Sequence, residues 1–271
     1  MLNKIAFIGG GSMAEAVIAG IINTAFLDKD QIFVTNKENK ERLDYLQNTY
    51  GVQCSNDKHA TLSDAEVVVV ATKPYDVEKA LQDAAPYIQG NQLVISVVAG
   101  VPTDFITTII DKNVAVVRSM PNTSATIGFS ATAITKGRFA TDADIQTAHQ
   151  LFAAIGTVSE VEESEMHAVT GLSGSGPAYI YYIVEAMENA AKKEGLDPDT
   201  AKQLIAQTII GAGNMLQKRS ESAAQLRENV TSPNGTTAAG LDTLADYNIL
   251  EAFEKCVETA ADRSRELGNE S

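Results

Sequence analysis

The chain has 271 residues, of which 44% are hydrophobic and 21% charged, and its 21 Lys and Arg residues against 35 Asp and Glu residues give a net charge of −14. At about 150 residues per domain this length predicts two domains, while the composition excludes a disordered chain and the negative charge argues against nucleic acid or an anionic membrane surface as a partner. No apolar run reaches the roughly 18 residues of a membrane span, and two distant cysteines with three histidines offer no zinc-ligand spacing, so we expect a cytoplasmic protein without a metal site.

The first half of the chain alternates β-rich runs with helical patterns. Strands are predicted at Lys4–Ile8, Gln31–Thr35, Val67–Ala71, Leu93–Val98, Val114–Arg118 and Phe129–Ile134. The continuous valine run Val67–Val70 is typical of a parallel strand that is buried on both faces. Amphipathic segments such as Met13–Asn23 and Asn39–Asn48 separate the strands. This order of elements predicts an α/β fold with a doubly wound parallel sheet.

The strand signals stop after about Thr157, and the patterns that follow are helical. Asp197-Pro198 opens one helix, and Ser222-x-x-Gln225 has the pattern of a capping box at the start of another. We therefore predict an α/β domain over residues 1–160 and an all-helical domain over residues 161–271.

The predicted helices of the second domain carry more apolar surface than a domain of their size needs. In the segment Tyr179–Met187, apolar side chains spread around more than one helical face. Small domains bury a modest share of their surface, so this pattern favours a dimer interface. An internal core is the alternative.

A glycine-rich turn joins the first predicted strand to the first predicted helix. In the pattern G-x-G-x-x-A, Gly9 makes the tight turn, Gly11 lets the backbone approach a diphosphate, and Ala14 permits close packing of helix on strand. The helix N-terminus supplies N–H groups and partial positive charge to the phosphates. The pattern predicts dinucleotide binding by a Rossmann-type sheet; a glycine-rich turn without a ligand is the alternative. The glycines also distinguish this stretch from a secretory signal peptide.

The end of the second predicted strand bears on the choice of dinucleotide. Enzymes that use NAD usually place Asp or Glu here, where the carboxylate binds the ribose 2′-hydroxyl. This chain has Asn36 and Lys37, an amide and a cation, which suit a 2′-phosphate. Glu38 is close enough in sequence to rotate inward and take the carboxylate role. The pair favours NADPH, with NADH as the alternative.

Further candidates follow the other predicted strands, at the sheet edge where ligands of open α/β sheets bind. Lys73, in Ala71-Thr72-Lys73-Pro74, is placed to meet ribose or phosphate. The small residues in Val98–Gly100 and Met120–Thr123 would allow a flat nicotinamide ring to approach. A surface lysine before a turn proline is the alternative for Lys73.

Two loops in the second half carry glycine and hydroxyl groups. Gly171–Ala178 places a flexible backbone beside the expected nicotinamide, unless its glycines serve a hinge or a close helix crossing. In Asn229–Thr237, the N–H groups of a helix start together with Ser232 and Thr236 form a neutral cradle for a carboxylate. An ordinary Ser/Thr helix cap is the alternative.

These segments, in this order and over essentially the whole chain, resemble the pyrroline-5-carboxylate reductase family. The most specific stretches are Ala168–Tyr179 and Asn229–Thr237. The resemblance implies an N-terminal Rossmann domain that binds NADP and a helical domain that binds substrate and interlocks in a homodimer, with dimers that commonly assemble into decamers. It also implies reduction of the small-molecule substrate L-1-pyrroline-5-carboxylate to L-proline by NADPH, the last step of proline biosynthesis.

The resemblance also assigns residues by position. The implied cofactor-binding residues are Ile8, Gly9, Gly10, Gly11, Ser12, Met13, Asn36, Lys37, Asn56, Ala71, Thr72, Lys73, Pro74, Ala99 and Asn122. The implied substrate-binding residues are Glu163, Asn229, Ser232, Gly235, Thr236 and Thr237. Thr237 is the implied catalytic residue, through a hydrogen bond to the ring nitrogen of the imine. Asn56 departs from the family pattern in its spacing from Lys73.

Two other functions are compatible with this layout. A β-hydroxyacid dehydrogenase needs a lysine base on the first helices of its second domain, and the chain has no Lys or Arg from Phe139 to Ala191. A regulatory protein that binds NADP without catalysis would differ only in its lack of turnover.

Overall fold

A computed structural model describes residues 2–269 of the chain. Met1 and residues 270–271, which are the outer ends of the two predicted domains, lie outside the described residues. Over residues 2–269, the chain forms an eight-stranded sheet followed by a series of helices.

The strands are β1 (Ile5–Ile8), β2 (Ile32–Thr35), β3 (Gln53–Cys54), β4 (Val67–Val70), β5 (Leu93–Ser96), β6 (Ala115–Met120), β7 (Ser130–Lys136) and β8 (Gly156–Glu160). Their spatial order is β3-β2-β1-β4-β5-β6-β7-β8. All neighbours pair in parallel except β6 and β7, which are antiparallel. The six predicted strands are confirmed, and the sheet is mostly rather than wholly parallel.

Two strands were not predicted from the sequence. β3 contains two residues, too few to show an alternating pattern. β8, with the sequence Gly-Thr-Val-Ser-Glu, lies at the sheet edge and is partly or fully exposed along its length. Because an exposed edge strand needs no apolar run, the prediction that strands stop after about Thr157 was wrong by one strand.

Helices cover both faces of the sheet. Along β1, Ile5 and Phe7 point to one face and Ala6 and Ile8 to the other, and all four side chains are buried. Two separate apolar clusters result, one against each face. The predicted doubly wound architecture is therefore confirmed.

The helices are α1 (Ser12–Asn23), α2 (Lys40–Tyr50), α3 (Lys58–Leu62), α4 (Val77–Ala84), α5 (Thr103–Ile110), α6 (Asp142–Ala153), α7 (Met166–Val169), α8 (Gly176–Lys193), α9 (Pro198–Lys218), α10 (Ala223–Asn229), α11 (Thr236–Asp246) and α12 (Ile249–Asn269). Short 3₁₀ turns lie at Lys29–Gln31, Pro74–Asp76, Ala85–Tyr87, Thr123–Ile127 and Glu163–Glu165, and a π turn at Thr170–Gly174. None of the helices in the described chain is long and apolar enough to cross a membrane.

Local signals fix several helix starts. Pro198 occupies the first turn of α9, where its missing N–H is not needed, and Asp197 accepts from Thr200 N at 3.0 Å. Ser222 likewise accepts from Gln225 N at 3.2 Å. The predicted capping box is incomplete, because the Gln225 side chain donates to Asn229 Oδ1 instead.

The chain divides into two compact units, Met1–Pro177 with Val257–Ser271, and Ala178–Cys256. The second half of α12 therefore belongs to the unit that contains the sheet. There a Cβ on Gly268 would lie 2.3 Å from the carbonyl oxygen of Gly100, just beyond β5. The helices α8 to α11 belong to the other unit, where many large apolar side chains are exposed, among them Tyr182, Leu204 and Leu216.

Candidate functional site

A cavity of about 430 Å³ opens at the carboxyl ends of β1, β2 and β4. Its lining residues are Ile8, Gly9, Gly10, Gly11, Ser12, Met13, Thr35, Asn36, Lys37, Lys58, Ala71, Thr72, Lys73, Asp76, Lys79, Ala80, Asp83 and Thr123. This is the edge at which open α/β sheets bind ligands.

The glycine-rich turn has the geometry that the sequence predicts. Gly9 has a φ of +103°, and a Cβ on it would lie 2.5 Å from the carbonyl oxygen of Ala71. No other residue type fits this position. Gly11 precedes α1, and a Cβ on it would meet no described protein atom within 4 Å. The backbone is thus bare on the side from which a diphosphate would approach the α1 N-terminus.

Three buried polar atoms beside the cavity have no hydrogen-bond partner in the described chain. They are Thr35 Oγ1, Asn36 Oδ1 and Thr72 Oγ1. The Asn36 amide is held in place, because its Nδ2 donates to Asn39 O at 2.7 Å. Buried polar groups are nearly always paired, and each unpaired one costs about 1–3 kcal/mol. The three atoms therefore fit the ribose and phosphate groups of a bound nucleotide.

The charges around the cavity also favour an anionic ligand. Its lining includes four lysines and two aspartates, a local balance of +2 in a chain with net charge −14. Lys37 pairs with Glu38 at 3.7 Å, and both side chains are mostly exposed. Glu38 is thus turned toward Lys37 and does not line the cavity. This arrangement supports a 2′-phosphate more than a ribose 2′-hydroxyl.

Eleven of the implied cofactor-binding residues line the cavity: Ile8, Gly9, Gly10, Gly11, Ser12, Met13, Asn36, Lys37, Ala71, Thr72 and Lys73. Four do not. Asn56 lies exposed in the bend before α3, and Pro74 begins the 3₁₀ turn after Lys73. Ala99 packs against a small apolar cluster that includes Met120. Asn122 uses its side chain to accept from Ser124 N and to donate to Ser173 O, both at 3.1 Å.

Six lining residues were missed from the sequence: Thr35, Lys58, Asp76, Lys79, Ala80 and Asp83. Thr123, which also lines the cavity, belongs to the Met120–Thr123 segment that was expected near the nicotinamide. Lys58 begins α3, the helix after the unpredicted strand β3. Asp76, Lys79, Ala80 and Asp83 recur at the spacing of one helical face. That periodicity is the signal that would have found the α4 residues.

A buried ion pair lies beyond the cavity lining. Arg118, on β6, donates from Nη1 to Glu163 Oε1 at 2.7 Å. Its Nε and Nη2, and Glu163 Oε2, are buried atoms without a partner among the described residues. Polar networks that are only partly paired are costly and are expected at functional sites. Glu163 is one of the implied substrate-binding residues.

His167 lies near this pair. Its Nδ1 shares a hydrogen bond of 3.0 Å with Ser264 Oγ on α12. Burial, together with the nearby charges of Arg118 and Arg265, lowers the pKa of His167 below its usual value, although Glu163 acts in the opposite direction. The imidazole is therefore neutral at pH 7.

In the loop Gly171–Ala178, the first glycine packs closely against another helix. A Cβ on Gly171 would lie 2.6 Å from the carbonyl oxygen of Val257 on α12. The close helix crossing, one of the two alternatives for these glycines, is therefore present at Gly171. At the π turn, a Cβ on Gly174 would come within 3.3 Å of the Met120 sulfur.

The remaining implied substrate-binding residues belong to the other compact unit. Gly235 precedes α11, donates its N–H to Ser232 O at 3.0 Å, and has no side chain that could cap the helix. Asn234 has a left-handed φ of +58°, which sets the turn. Ser232, Thr236 and Thr237 are exposed around this helix start. The N–H groups of the first turn of α11, an eleven-residue helix, are thus without a side-chain cap from the preceding residue, as a carboxylate site requires.

Comparison with known proteins extends these observations. The family model described as pyrroline-5-carboxylate reductase dimerisation matches residues 163–267, and the model described as NADP oxidoreductase, coenzyme F420-dependent, matches residues 4–100. Pyrroline-5-carboxylate reductase 2 of Bacillus subtilis is 44% identical over 266 residues, which are 98% of this chain and 95% of the relative.

Two solved structures agree. A pyrroline carboxylate reductase of Plasmodium falciparum, solved with NADP bound, has a TM-score of 0.90 at 27% identity and matches over 98% of both chains. A pyrroline-5-carboxylate reductase of Coxiella burnetii has a TM-score of 0.87 at 35% identity, over 98% of this chain and 99% of the other. On the fold, the glycine-rich cavity and these matches along nearly its whole length, the chain belongs to the pyrroline-5-carboxylate reductase family.

Proposed function

We propose that this protein reduces L-1-pyrroline-5-carboxylate to L-proline with NADPH, the final reaction of proline biosynthesis. The observation that carries the proposal is the cavity at the α1 N-terminus, with its bare glycine backbone, three unpaired polar atoms and excess of lysines. The names of its relatives and of similar solved structures support the same reaction.

Cofactor binding and substrate binding are assigned to different parts of the chain. We assign cofactor binding to residues 1–160 and substrate binding with dimerisation to residues 161–271, a division supported by family models that match residues 4–100 and 163–267. Within the first part, Gly9, Gly10 and Gly11 hold the diphosphate, Asn36 and Lys37 hold the 2′-phosphate, and Thr72 and Lys73 hold the ribose. Asn56, Pro74, Ala99 and Asn122 lie outside the cavity lining. Asn56 is proposed to lie near the adenosine ribose, Pro74 beside Lys73, and Ala99 and Asn122 near the nicotinamide.

Bound NADPH supplies a hydride to the imine carbon. Asn229, Gly235, Ser232 and the first turn of α11 hold the substrate carboxylate through neutral donors. Thr237 forms a hydrogen bond with the ring nitrogen and helps set its protonation during the transfer, and Glu163 is proposed as a further substrate-binding residue. Holding the two reacting carbons in near-attack geometry supplies a large share of the rate.

Reduction of a C=N bond needs no strong side-chain base, because an iminium forms readily in water. Oxidation of a β-hydroxyacid does need one, and the chain has no Lys or Arg from Phe139 to Ala191. The residues in the second half of the chain therefore fit imine reduction better than alcohol oxidation.

The decisive experiment follows NADPH oxidation by absorbance with purified protein and L-1-pyrroline-5-carboxylate, with NADH in parallel. Faster oxidation of NADPH supports both the reaction and the Asn36–Lys37 interpretation. Faster oxidation of NADH would keep the reaction and overturn the cofactor preference. Tight cofactor binding without oxidation of either would favour the regulatory alternative.

We also propose a homodimer formed through the exposed apolar faces of α8 to α11, with decamers as the larger assembly, in the cytoplasm. The family model that matches residues 163–267 is a dimerisation model, and large apolar patches on a soluble domain mark protein interfaces. A cavity of about 640 Å³ between α10, α11 and the start of α12 adds to this surface. Light scattering after size-exclusion chromatography measures the assembly, and a monomer at micromolar concentration would contradict it.

A further inference from the structure

The acidic side chain of Glu15 lies close to the cavity, where its negative charge would repel an anionic ligand. Glu15 is in the first turn of α1, the helix whose N-terminus meets the glycine-rich turn. Its two carboxylate oxygens are both engaged. Oε1 accepts from Tyr45 Oη at 3.0 Å and from Tyr50 Oη at 2.9 Å, and Oε2 accepts from Arg42 Nη2. The charge of Glu15 is therefore compensated on the side that faces α2.

The same arginine reaches the glycine-rich turn. Arg42 Nε donates to Gly10 O at 2.5 Å, and Nη2 lies 3.4 Å from Gly11 O. Its guanidinium also stands 4.9 Å from the centre of the Tyr45 ring. A quarter of the Arg42 side chain is exposed, so these contacts are largely shielded from water.

These contacts orient the donors that a diphosphate would use. In a trans peptide the C=O and the following N–H point in opposite directions. With Gly10 O held toward Arg42, the N–H group of Gly11 points away from α2, and helix α1 holds the N–H group of Ser12 through Gly11 O, which accepts from Glu15 N. Both residues line the cavity.

We propose that Arg42 is a positioning residue for the diphosphate of the cofactor, a role that rests on the proposed function. Through Gly10 O it fixes the N–H group of Gly11 toward the cavity, beside the Ser12 N–H that helix α1 holds, and it compensates the charge of Glu15 that would otherwise repel the phosphates. Neither residue is predicted from the sequence pattern, because Arg42 lies on α2, 31 residues after Gly11.

The ion pair between Arg42 and Glu15 allows a test that distinguishes a positioning role from a purely structural one. If the ion pair only stabilised the fold, loss of Arg42 and loss of Glu15 would change the nucleotide affinity in the same direction. In the proposed role the two partners act in opposite directions on nucleotide affinity. Arg42→Gln leaves Glu15 uncompensated and frees the Gly10 carbonyl, whereas Glu15→Gln removes the repelling charge and retains an oxygen that accepts from the tyrosines.

The experiment titrates the assembled protein with NADPH by fluorescence and measures inorganic diphosphate as a competitor. Arg42→Gln is expected to weaken both ligands about tenfold, the scale of one charge-assisted hydrogen bond, with kcat at saturating NADPH unchanged. Glu15→Gln is expected to bind both at least as tightly as the wild type. Arg219→Gln, which loses an exposed ion pair with Glu221, is the matched control.

Equal weakening by Arg42→Gln and Glu15→Gln, or wild-type binding by Arg42→Gln, would overturn the positioning role. Should Arg42→Gln fail to fold, Arg42→Lys retains the charge with a single donor group and is expected to bind with intermediate affinity; wild-type affinity there would also count against the proposal. The proposed function fails separately, when the wild type itself neither binds nor oxidises NADPH.

Discussion

Arg118 and Glu163 share an ion pair in which the arginine side chain is 1% exposed and the glutamate side chain is 35% exposed. Removal of one partner therefore leaves a different unpaired charge from removal of the other. Without Glu163, the guanidinium remains charged inside the sheet, beside Ser96 on β5 and Thr135 on β7. Without Arg118, the charge that remains is on the side chain that is partly exposed, and it is therefore less fully buried than that of the arginine.

This asymmetry predicts unequal effects on stability. Glu163→Ala should lower the free energy of unfolding by about 3–5 kcal/mol, the usual cost of an unpaired buried charge. Arg118→Met should cost distinctly less. Urea unfolding of both variants measures the difference, with Lys136→Met, which breaks an exposed pair with Asp142, as a control that should change little. If Arg118→Met lost more free energy of unfolding than Glu163→Ala, the buried charge of Arg118 would not be costly without its partner, and the prediction would be wrong.

The two outer glycines of the turn should separate folding from binding. Gly9→Ala forces a Cβ into the Ala71 carbonyl at a left-handed φ, so we expect a lower melting temperature and no NADPH binding. Gly11→Ala adds its methyl group where no described protein atom lies within 4 Å, so the melting temperature should persist while NADPH affinity falls.

Gly90→Ala, whose added Cβ makes only an ordinary contact of 3.8 Å, is the control for both glycine variants. Thermal melting and fluorescence titration give the two readouts. Normal NADPH affinity in Gly11→Ala would mean that the diphosphate approaches the turn elsewhere.

Lys37 should contribute to cofactor preference. Replacing it with Ala removes a cation from the cavity rim, and we expect the KM for NADPH to rise about tenfold, on the scale of one charge-assisted contact, with little change for NADH. Lys40→Ala removes an equivalent charge three residues away and outside the lining, and it should leave both constants unchanged. Equal effects on NADPH and NADH would place the 2′-phosphate away from Lys37.

Thr237 should matter for turnover rather than for folding. Thr237→Ala is expected to lower kcat by roughly 10²-fold, the usual scale for a positioned acid–base partner. Thr243→Ala, on the same helix, removes a hydroxyl that donates within the helix to Ala239 O at 3.1 Å, and it should leave kcat near the wild-type value. Steady-state kinetics give kcat for the two variants. An unchanged kcat in Thr237→Ala would remove this residue from the mechanism.

His167 should make the protein sensitive to mild acid. Its pKa is lowered in the folded state by burial, Arg118 and Arg265, so the unfolded chain takes up a proton first as the pH falls below about 6.5. Stability is therefore full above that pH and declines as the pH falls toward the folded pKa. His167→Asn should lose less stability than the wild type between pH 7.5 and pH 5, as measured by thermal melting. A parallel loss in both proteins would assign the acid sensitivity to other groups.

The sequence predicts those parts of the fold that have a local pattern. Apolar runs such as Val67–Val70 locate the buried strands, and the glycine spacing locates the turn at Gly9. The edge strand β8 leaves no such pattern because most of its residues are exposed and Val158 is the one large apolar side chain in it. The antiparallel direction of β7 depends on the path of the chain between Met120 and Ser130, which hydrophobic periodicity does not report.

The candidate site was predictable to the same extent. Residues directly after strands, such as Asn36 and Lys73, could be placed because strand ends share one edge of the sheet. Lys58 could not, since its position depends on how α3 packs. Asn122 was also placed by its strand-end position; its amide caps a 3₁₀ turn and contacts Ser173 outside the cavity lining, so its role toward the cofactor stays a prediction.

The contact between Gly100 and Gly268 has a practical consequence for work on this enzyme. The last turn of α12 rests directly on the backbone beyond β5, beside Ala99, which is assigned to the nicotinamide. An affinity tag fused close behind this turn, or a truncation within it, would disturb the backbone around Gly100 and with it the proposed hydride-transfer end of the site. Loss of activity in a C-terminally tagged preparation should therefore be checked against an N-terminally tagged one before any substitution is held responsible.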